Sequence, residues 1–134
     1  NDELAAVASR AEQGLGYHFV MRPIEGGPIV GHCNYSNVVR GAFHAAHLGY
    51  GLDKVAQGRG YMKEALQASL HYCFAELNLH RVMANYMPAN HRSAKLLERL
   101  GFVREGEAQN YLFLAGAWQD HVLTSLTNHS WRSP

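Results

Sequence analysis

Apolar and polar positions follow two different periods along this chain. Leu4, Ala5, Ala8 and Ala11 share a helical face, Asp2 stands where it can cap, and Gly14 and Gly16 close the segment. That pattern predicts a short opening helix. Tyr17, Phe19 and Met21 then alternate with polar or exposed positions, the period of a half-buried strand. Glu25-Gly26-Gly27 reads as a hairpin turn, and Ile29 to Tyr35 as the returning partner strand. Ser36 to Gly41 reads as a loop and Phe43 to Leu52 as a third strand.

The period lengthens beyond Asp53. A glycine-rich turn, Gln57-Gly58-Arg59-Gly60, leads into Met62, Leu66, Leu70, Cys73, Phe74 and Leu77, one apolar stripe of a helix over Tyr61 to Leu79. Asn78 suits a left-handed helix end. Arg81 to Met87 reads as a strand stopped by Pro88. Asn90 caps a second helix with Ala94, Leu97 and Leu100 inward, and Gly101 ends it. Phe102 to Leu114 and Trp118 to Leu126 form a long hairpin around Ala115-Gly116-Ala117. The order is helix, three strands, helix, strand, helix, two strands. It predicts an α+β or mixed α/β layered fold: a mostly antiparallel sheet with one right-handed β-α-β step in its middle.

Composition narrows the function classes. At 134 residues the chain makes one domain, and 47% apolar with 17% charged residues is a globular balance. Twelve Lys+Arg against eleven Asp+Glu, a formal charge of +1, supplies no basic face for a nucleic-acid backbone and leaves room for one small anion pocket. Cys33 and Cys73 form no C-x-x-C and read as small core hydrophobes in a reducing, cytoplasmic setting. No apolar run approaches the roughly 20 residues that span a bilayer, so no membrane association is expected. The chain opens at Asn1 and not Met, which points to a processed or truncated start. His44 and His47 form H-A-A-H, but on a strand they point to opposite faces, and no H-E-x-x-H or Cys/His cluster exists; no metal site is expected.

The glycine turn carries the chemistry. Gly58-x-Gly60 between a strand and a helix start lets backbone approach an anion, with the N–H groups of the first turn aimed at it. It is not a P-loop, since no G-K-[ST] follows, nor the dinucleotide fingerprint, since Lys63 holds its third glycine position. A plain strand-to-helix turn is the competing reading.

Gln57-Gly58-Arg59-Gly60-Tyr61-Met62, followed a helix and strand later by Asn90-His91-Arg92-Ser93 and Gly101-Phe102, resembles the GNAT family of N-acetyltransferases. The first segment is similar to its pyrophosphate motif [QR]-x-x-G-x-[GA], the second to its N-x-x-S…G-F segment. His80 to Asn90, Asn110-Tyr111-Leu112 and Trp118 to Thr124 resemble the RimJ/RimL-like branch, which acetylates N-termini of ribosomal proteins, and its alanine-directed members most. The resemblance implies a single GNAT domain lacking the strand and helix that usually precede this region. It also implies bacterial origin, acetyl-CoA as cosubstrate, and a ribosomal-protein N-terminus, with the assembling ribosome, as partner.

The resemblance implies roles residue by residue. Leu48 to Leu52 splays from the Arg81 to Met87 strand, so that backbone N–H groups at Tyr50, Gly51 and Leu52 hold the pantetheine arm and polarise the acetyl carbonyl. Gln57, Gly58, Arg59, Gly60, Tyr61 and Met62 cradle the pyrophosphate through backbone N–H groups. Met62 departs from the motif's small residue, and Arg59 is either a charge partner or a solvated arginine. Asn90 bonds the pantetheine, caps its helix, or both. Ser93 either protonates the departing thiolate or is a local cap partner. Three acid/base positions of relatives hold Asn85, Leu97 and Leu112, so no side-chain base is identified; water leading to Asp120, Tyr111 or His121 is one route. Trp118 and Asp120 either line a peptide groove or pack and order their hairpin. The alternatives are a GNAT enzyme for a small amine, or a CoA-binding module without catalysis.

Overall fold

A computed structural model describes residues 4–10, 16–23, 28–52 and 60–134. Seven strands and two helices occur among them: β1 (Leu4–Arg10), β2 (Tyr17–Pro23), β3 (Gly31–Val39), β4 (Ala45–Leu52), α1 (Tyr61–Ala75), β5 (Arg81–Tyr86), α2 (His91–Arg99), β6 (Val103–Leu114) and β7 (Ala117–Thr127). They form one sheet in the order β1-β2-β3-β4-β5-β7-β6. Every neighbouring pair is antiparallel except β4 and β5, which run parallel with α1 between them in sequence. The expected mixed, mostly antiparallel architecture is therefore present.

Strand alternation delivers the core. Tyr17, Phe19 and Met21 of β2 are buried while His18 and Arg22 are exposed, and Cys33 and Tyr35 continue that face on β3. Ala46 and Leu48 extend it on β4, Val82 and Ala84 on β5. Met62, Ala65, Leu66, Leu70 and Cys73 of α1, with Leu97 of α2 and Phe102, complete this one cluster. A fully buried leucine such as Leu66 is worth roughly 1.5–3 kcal/mol relative to an exposed one. Inside it the Tyr35 hydroxyl meets Ser69 Oγ at 2.7 Å, tying β3 to α1. Cys33 and Cys73 are free, buried thiols.

Four expectations need correction. The opening segment is strand β1, not a helix, and pairs residue for residue with β2 from Leu4↔Pro23 to Arg10↔Tyr17. So short a helix nucleates poorly alone, whereas a waiting sheet edge satisfies its backbone at once. Ser36 to Val39 continues β3, with a bulge after Ser36↔His47 at which Asn37 turns to φ 52°; the polar Ser36-Asn37 pair disguises the strand. β4 begins at Ala45, because His44 has φ 49°, so His44 precedes the strand that holds His47. α1 ends at Ala75, and the turn to β5 runs through Asn78 at φ 51°, with Leu79 N–H donating to Cys73 O at 3.0 Å. That left-handed asparagine is the helix terminator expected there. The Glu25-Gly26-Gly27 turn lies outside the described residues. Among the described residues, no helix is long and apolar enough to cross a membrane, and no group of three or more His, Cys, Asp or Glu side chains is placed to hold a metal ion.

Candidate active site

The parallel pairing of β4 with β5 stops at Leu48↔Ala84, although β4 runs on to Leu52 and β5 to Tyr86. Beyond that point the two strands part, as the family resemblance implies. Beside the parted β4, between the N-terminal turns of α1 and α2, lies a cavity of about 520 Å³. Tyr50 and Gly51 line it from β4, Gly60, Tyr61, Met62 and Lys63 from the start of α1, and Asn90, Arg92, Ser93, Lys95, Leu96 and Arg99 from α2.

Each wall follows from local sequence. Gly60 is the N-cap of α1 at φ 77°, a left-handed conformation open to glycine, and it brings no side-chain cap. The positive end of the helix therefore lies at the cavity, and Glu64 is the acidic side chain of its first turn. The Tyr61 and Met62 side chains are buried, 7% and 8% exposed, so what these residues offer a ligand is backbone. This explains how methionine fills a motif position that normally holds a small residue. At α2, Asn90 Oδ1 accepts the Ser93 N–H at 3.2 Å, so Asn90 is an N-cap, and its Nδ2 donors make no bond among the described residues. Ser93 receives that cap through its backbone, which leaves its hydroxyl for another partner: Tyr50 Oη, at 2.8 Å. Burial pushes the Tyr50 phenol above its ordinary value; the Ser93 hydrogen bond pulls the other way, and nearby Tyr86 adds to the rise.

The cavity's electrostatics are one-sided. Among the described residues, Lys63, Arg92, Lys95 and Arg99 line it and no carboxylate does. The glycine motif offered Arg59 as the cation; it lies outside the described residues, with Gln57 and Gly58. The signal for the others was nonetheless present, because Arg92, Lys95, Leu96 and Arg99 recur at i, i+3, i+4 and i+7, one face of α2. Leu52 belongs to β4 by its backbone. Seven of the expected site residues thus meet in one place: Tyr50, Gly51, Gly60, Tyr61, Met62, Asn90 and Ser93.

The side chains considered as routes for a proton do not meet there. Asp120 Oδ1 accepts the Asn110 N–H at 2.9 Å, pinning the bulge of β6 where Asn110 has φ 49°. Of the two readings of Asp120, this favours the one that orders the hairpin. His121 is 3% exposed, and its Nδ1 lies 3.0 Å from the Gln119 carbonyl, which can only accept. Nδ1 therefore donates that bond. Tyr111 stacks at a tilt on that imidazole, ring centres 5.9 Å apart. None of the three lines the cavity. Trp118 packs edge-on against Phe113 at 5.5 Å and stays 60% exposed. Leu97 is fully buried in the core, a place that suits a hydrophobe and not a proton donor.

Comparison with known proteins agrees with this geometry. The acetyltransferase (GNAT) domain family matches residues 2–103. The [ribosomal protein uS5]-alanine N-acetyltransferase of Escherichia coli is 49% identical over 120 residues, which cover 90% of this chain and 62% of that protein. Ribosomal-protein-S5-alanine acetyltransferase from Vibrio fischeri superposes with TM-score 0.86 at 47% identity, over 89% of this chain and 65% of that one. Mycobacterium smegmatis RimJ in complex with CoA-disulfide superposes with TM-score 0.82 at 34% identity, over 90% of this chain and 56% of that one. The chain thus spans a little under two thirds of the length of these relatives.

Proposed function

The chain belongs to the GNAT acetyltransferase family, and from that premise we propose that it is an acetyl-CoA-dependent enzyme that acetylates the α-amino group of an N-terminal alanine on a small-subunit ribosomal protein. The observation that carries the reading is the cavity itself. It joins a parted β4, a helix start without a side-chain cap and, among the described residues, four cationic side chains and no carboxylate, the chemistry that receives a thioester arm at one end and phosphates at the other. The acceptor is read from the relatives, whose names give uS5 or S5 alanine as their target. Such a substrate N-terminus is made in the bacterial cytoplasm, and we place the enzyme there, acting on the free protein or on an assembling ribosome.

In this reading backbone at Gly58 to Met62 holds the pyrophosphate, with Gln57 and Arg59 at its edge. Lys63, Arg92, Lys95 and Arg99 balance the phosphate charge. Asn90 Nδ2 donates to the pantetheine, and backbone at Tyr50, Gly51 and Leu52 lies along that arm and polarises the acetyl carbonyl. The neutral amine nitrogen attacks the carbonyl carbon, and the tetrahedral oxyanion collapses. The C–S electron pair leaves with sulfur, which takes a proton from Ser93. An α-amino group titrates at roughly 7.7–8.0, so a useful fraction is already neutral near pH 7.5. Its surplus proton passes to water and from there restores the hydroxyl of Ser93, and positioning of the two reactants supplies much of the rate.

The test offers acetyl-CoA with peptides beginning Ala, Ser or Met, and an N-terminally blocked peptide with an internal lysine, and reads products by mass spectrometry. Acetyl on the α-nitrogen of the Ala peptide, fastest of the set, is expected. Equal modification of the blocked lysine peptide moves the enzyme to the amine- or lysine-directed part of the family. Tight acetyl-CoA binding with no transfer to any amine makes it a binding module.

A further inference from the structure

The contact that the cavity's known chemistry leaves unused is the one between two hydroxyls, Tyr50 Oη on β4 and Ser93 Oγ on α2, 2.8 Å apart and 43 residues apart in sequence. Ser93 has its main chain fixed by Asn90, but a serine hydroxyl still rotates among staggered positions and can point its proton anywhere the rotor allows. A proton donor is effective when that proton is aimed before the reaction begins. The phenol is the stronger acid of the two hydroxyls, so the natural direction of the bond is from Tyr50 O–H to the Ser93 oxygen.

We infer that Tyr50 is a positioning residue for acyl transfer: by donating to Ser93 Oγ across the parted strands, it turns the serine proton into the cavity toward the departing sulfur. The inference rests on the proposed acetyl transfer and adds to it a side-chain task for a residue otherwise read for its backbone. The protons balance. As the C–S bond breaks, sulfur gains the Ser93 proton and Ser93 gains the Tyr50 proton. The phenolate is then reprotonated with the proton that the acceptor nitrogen gives up to water. Burial keeps the phenol protonated, and therefore a donor, in the resting site.

The side chain is suited to this. Tyr50 packs against the core cluster, so its ring is held and its hydroxyl is delivered from a strand and not a loop. Phenylalanine at the same place preserves the packing and removes the donor.

A double-mutant cycle on the full chain tests the inference: wild type, Tyr50→Phe, Ser93→Ala and the double variant. CoA release with the Ala peptide is the readout. Tyr50→Phe is expected to lower kcat about ten-fold, less than the roughly 10²–10⁴-fold of a group that itself transfers the proton to the reacting atom, with KM for acetyl-CoA within about two-fold. Ser93→Ala is expected to lower kcat at least as much, and the double variant to match Ser93→Ala, because Tyr50 acts only through Ser93. Losses that multiply in the double variant overturn the inference, as does a Tyr50→Phe enzyme with wild-type kcat, or one whose acetyl-CoA affinity falls as far as its rate. A wild-type protein that acetylates no amine refutes the proposed function and the inference with it. An active wild type with an unaffected Tyr50→Phe variant refutes the inference alone.

Discussion

Single residues at the cavity mouth separate folding from binding. Asn90 uses Oδ1 to cap α2, while Nδ2 makes no bond among the described residues. Asn90→Ala should therefore destabilise the protein by about 1 kcal/mol through the lost cap and also weaken acetyl-CoA binding. Asn90→Asp keeps the acceptor and suits the helix dipole, so urea unfolding should stay near wild type while acetyl-CoA affinity still falls several-fold. Retained affinity in Asn90→Asp would leave Asn90 a cap and nothing more. Gly60 divides in a related way. A Cβ built there meets no atom of the described residues within 4 Å, yet φ 77° penalises any branched side chain. Gly60→Val should lose roughly 1–2 kcal/mol of stability from that conformation. Gly60→Asn, which tolerates it better, should fold nearly normally and bind CoA poorly if phosphate approaches this backbone. Normal CoA binding by folded Gly60→Asn would remove the phosphate from this turn. At this scale the sequence was informative because Asn90, Ser93 and Gly60 sit at helix starts, where residue type and backbone conformation are tightly linked. Tyr50 was legible as a strand residue, but its partner was not, since nothing local connects it to Ser93.

Elements were legible where their periodicity was unbroken and obscure where tertiary contact overrode it. α2 and the β6–β7 hairpin stand close to their expected bounds, and the hairpin turns through Ala115 and Gly116, both at positive φ. β1 was hidden because alanine-rich segments favour helix locally, whereas its structure is decided by the edge of β2. The stripe on α1 omits Ser69, which is 2% exposed, because a hydroxyl does not register as a core position. Its partner explains the burial: Tyr35 Oη on β3 lies 2.7 Å away, and Ser69 also reaches the Leu66 carbonyl at 3.3 Å. Ser69→Ala should thus cost more than its small change in volume implies, about 1–3 kcal/mol, because it strands a buried phenol. Adding Tyr35→Phe removes the orphaned hydroxyl and should recover part of that loss. Urea unfolding of the two single variants and the pair checks this; fully additive losses would mean that the hydroxyls do not act together.

At the scale of the whole molecule the charge is nearly balanced, 12 Lys+Arg against 11 Asp+Glu, so no general field draws an anion to the protein. What attracts it is local: Lys63, Arg92, Lys95 and Arg99 converge on one cavity that is lined by no carboxylate among the described residues. The sum over the chain conceals this asymmetry, which is why composition excluded a polyanion-binding surface and said nothing against a phosphate pocket. The two pictures predict different salt responses. Screening lengths shrink from about 10 Å at 0.1 M salt to about 3 Å at 1 M. If the four cations hold the phosphates, CoA affinity should fall several-fold between those conditions. Dephospho-CoA should show a shallower dependence, and a pantetheine fragment without phosphate almost none. Isothermal titration with the three ligands across salt concentrations reads all three slopes. Bound CoA should also protect the fold, by about 2.7 kcal/mol at a hundred-fold excess over its Kd, and this protection should fade with salt in parallel. Equal slopes for CoA and pantetheine would mean that the cations of α2 are solvated surface charge, and that the cavity's selectivity resides in its backbone alone.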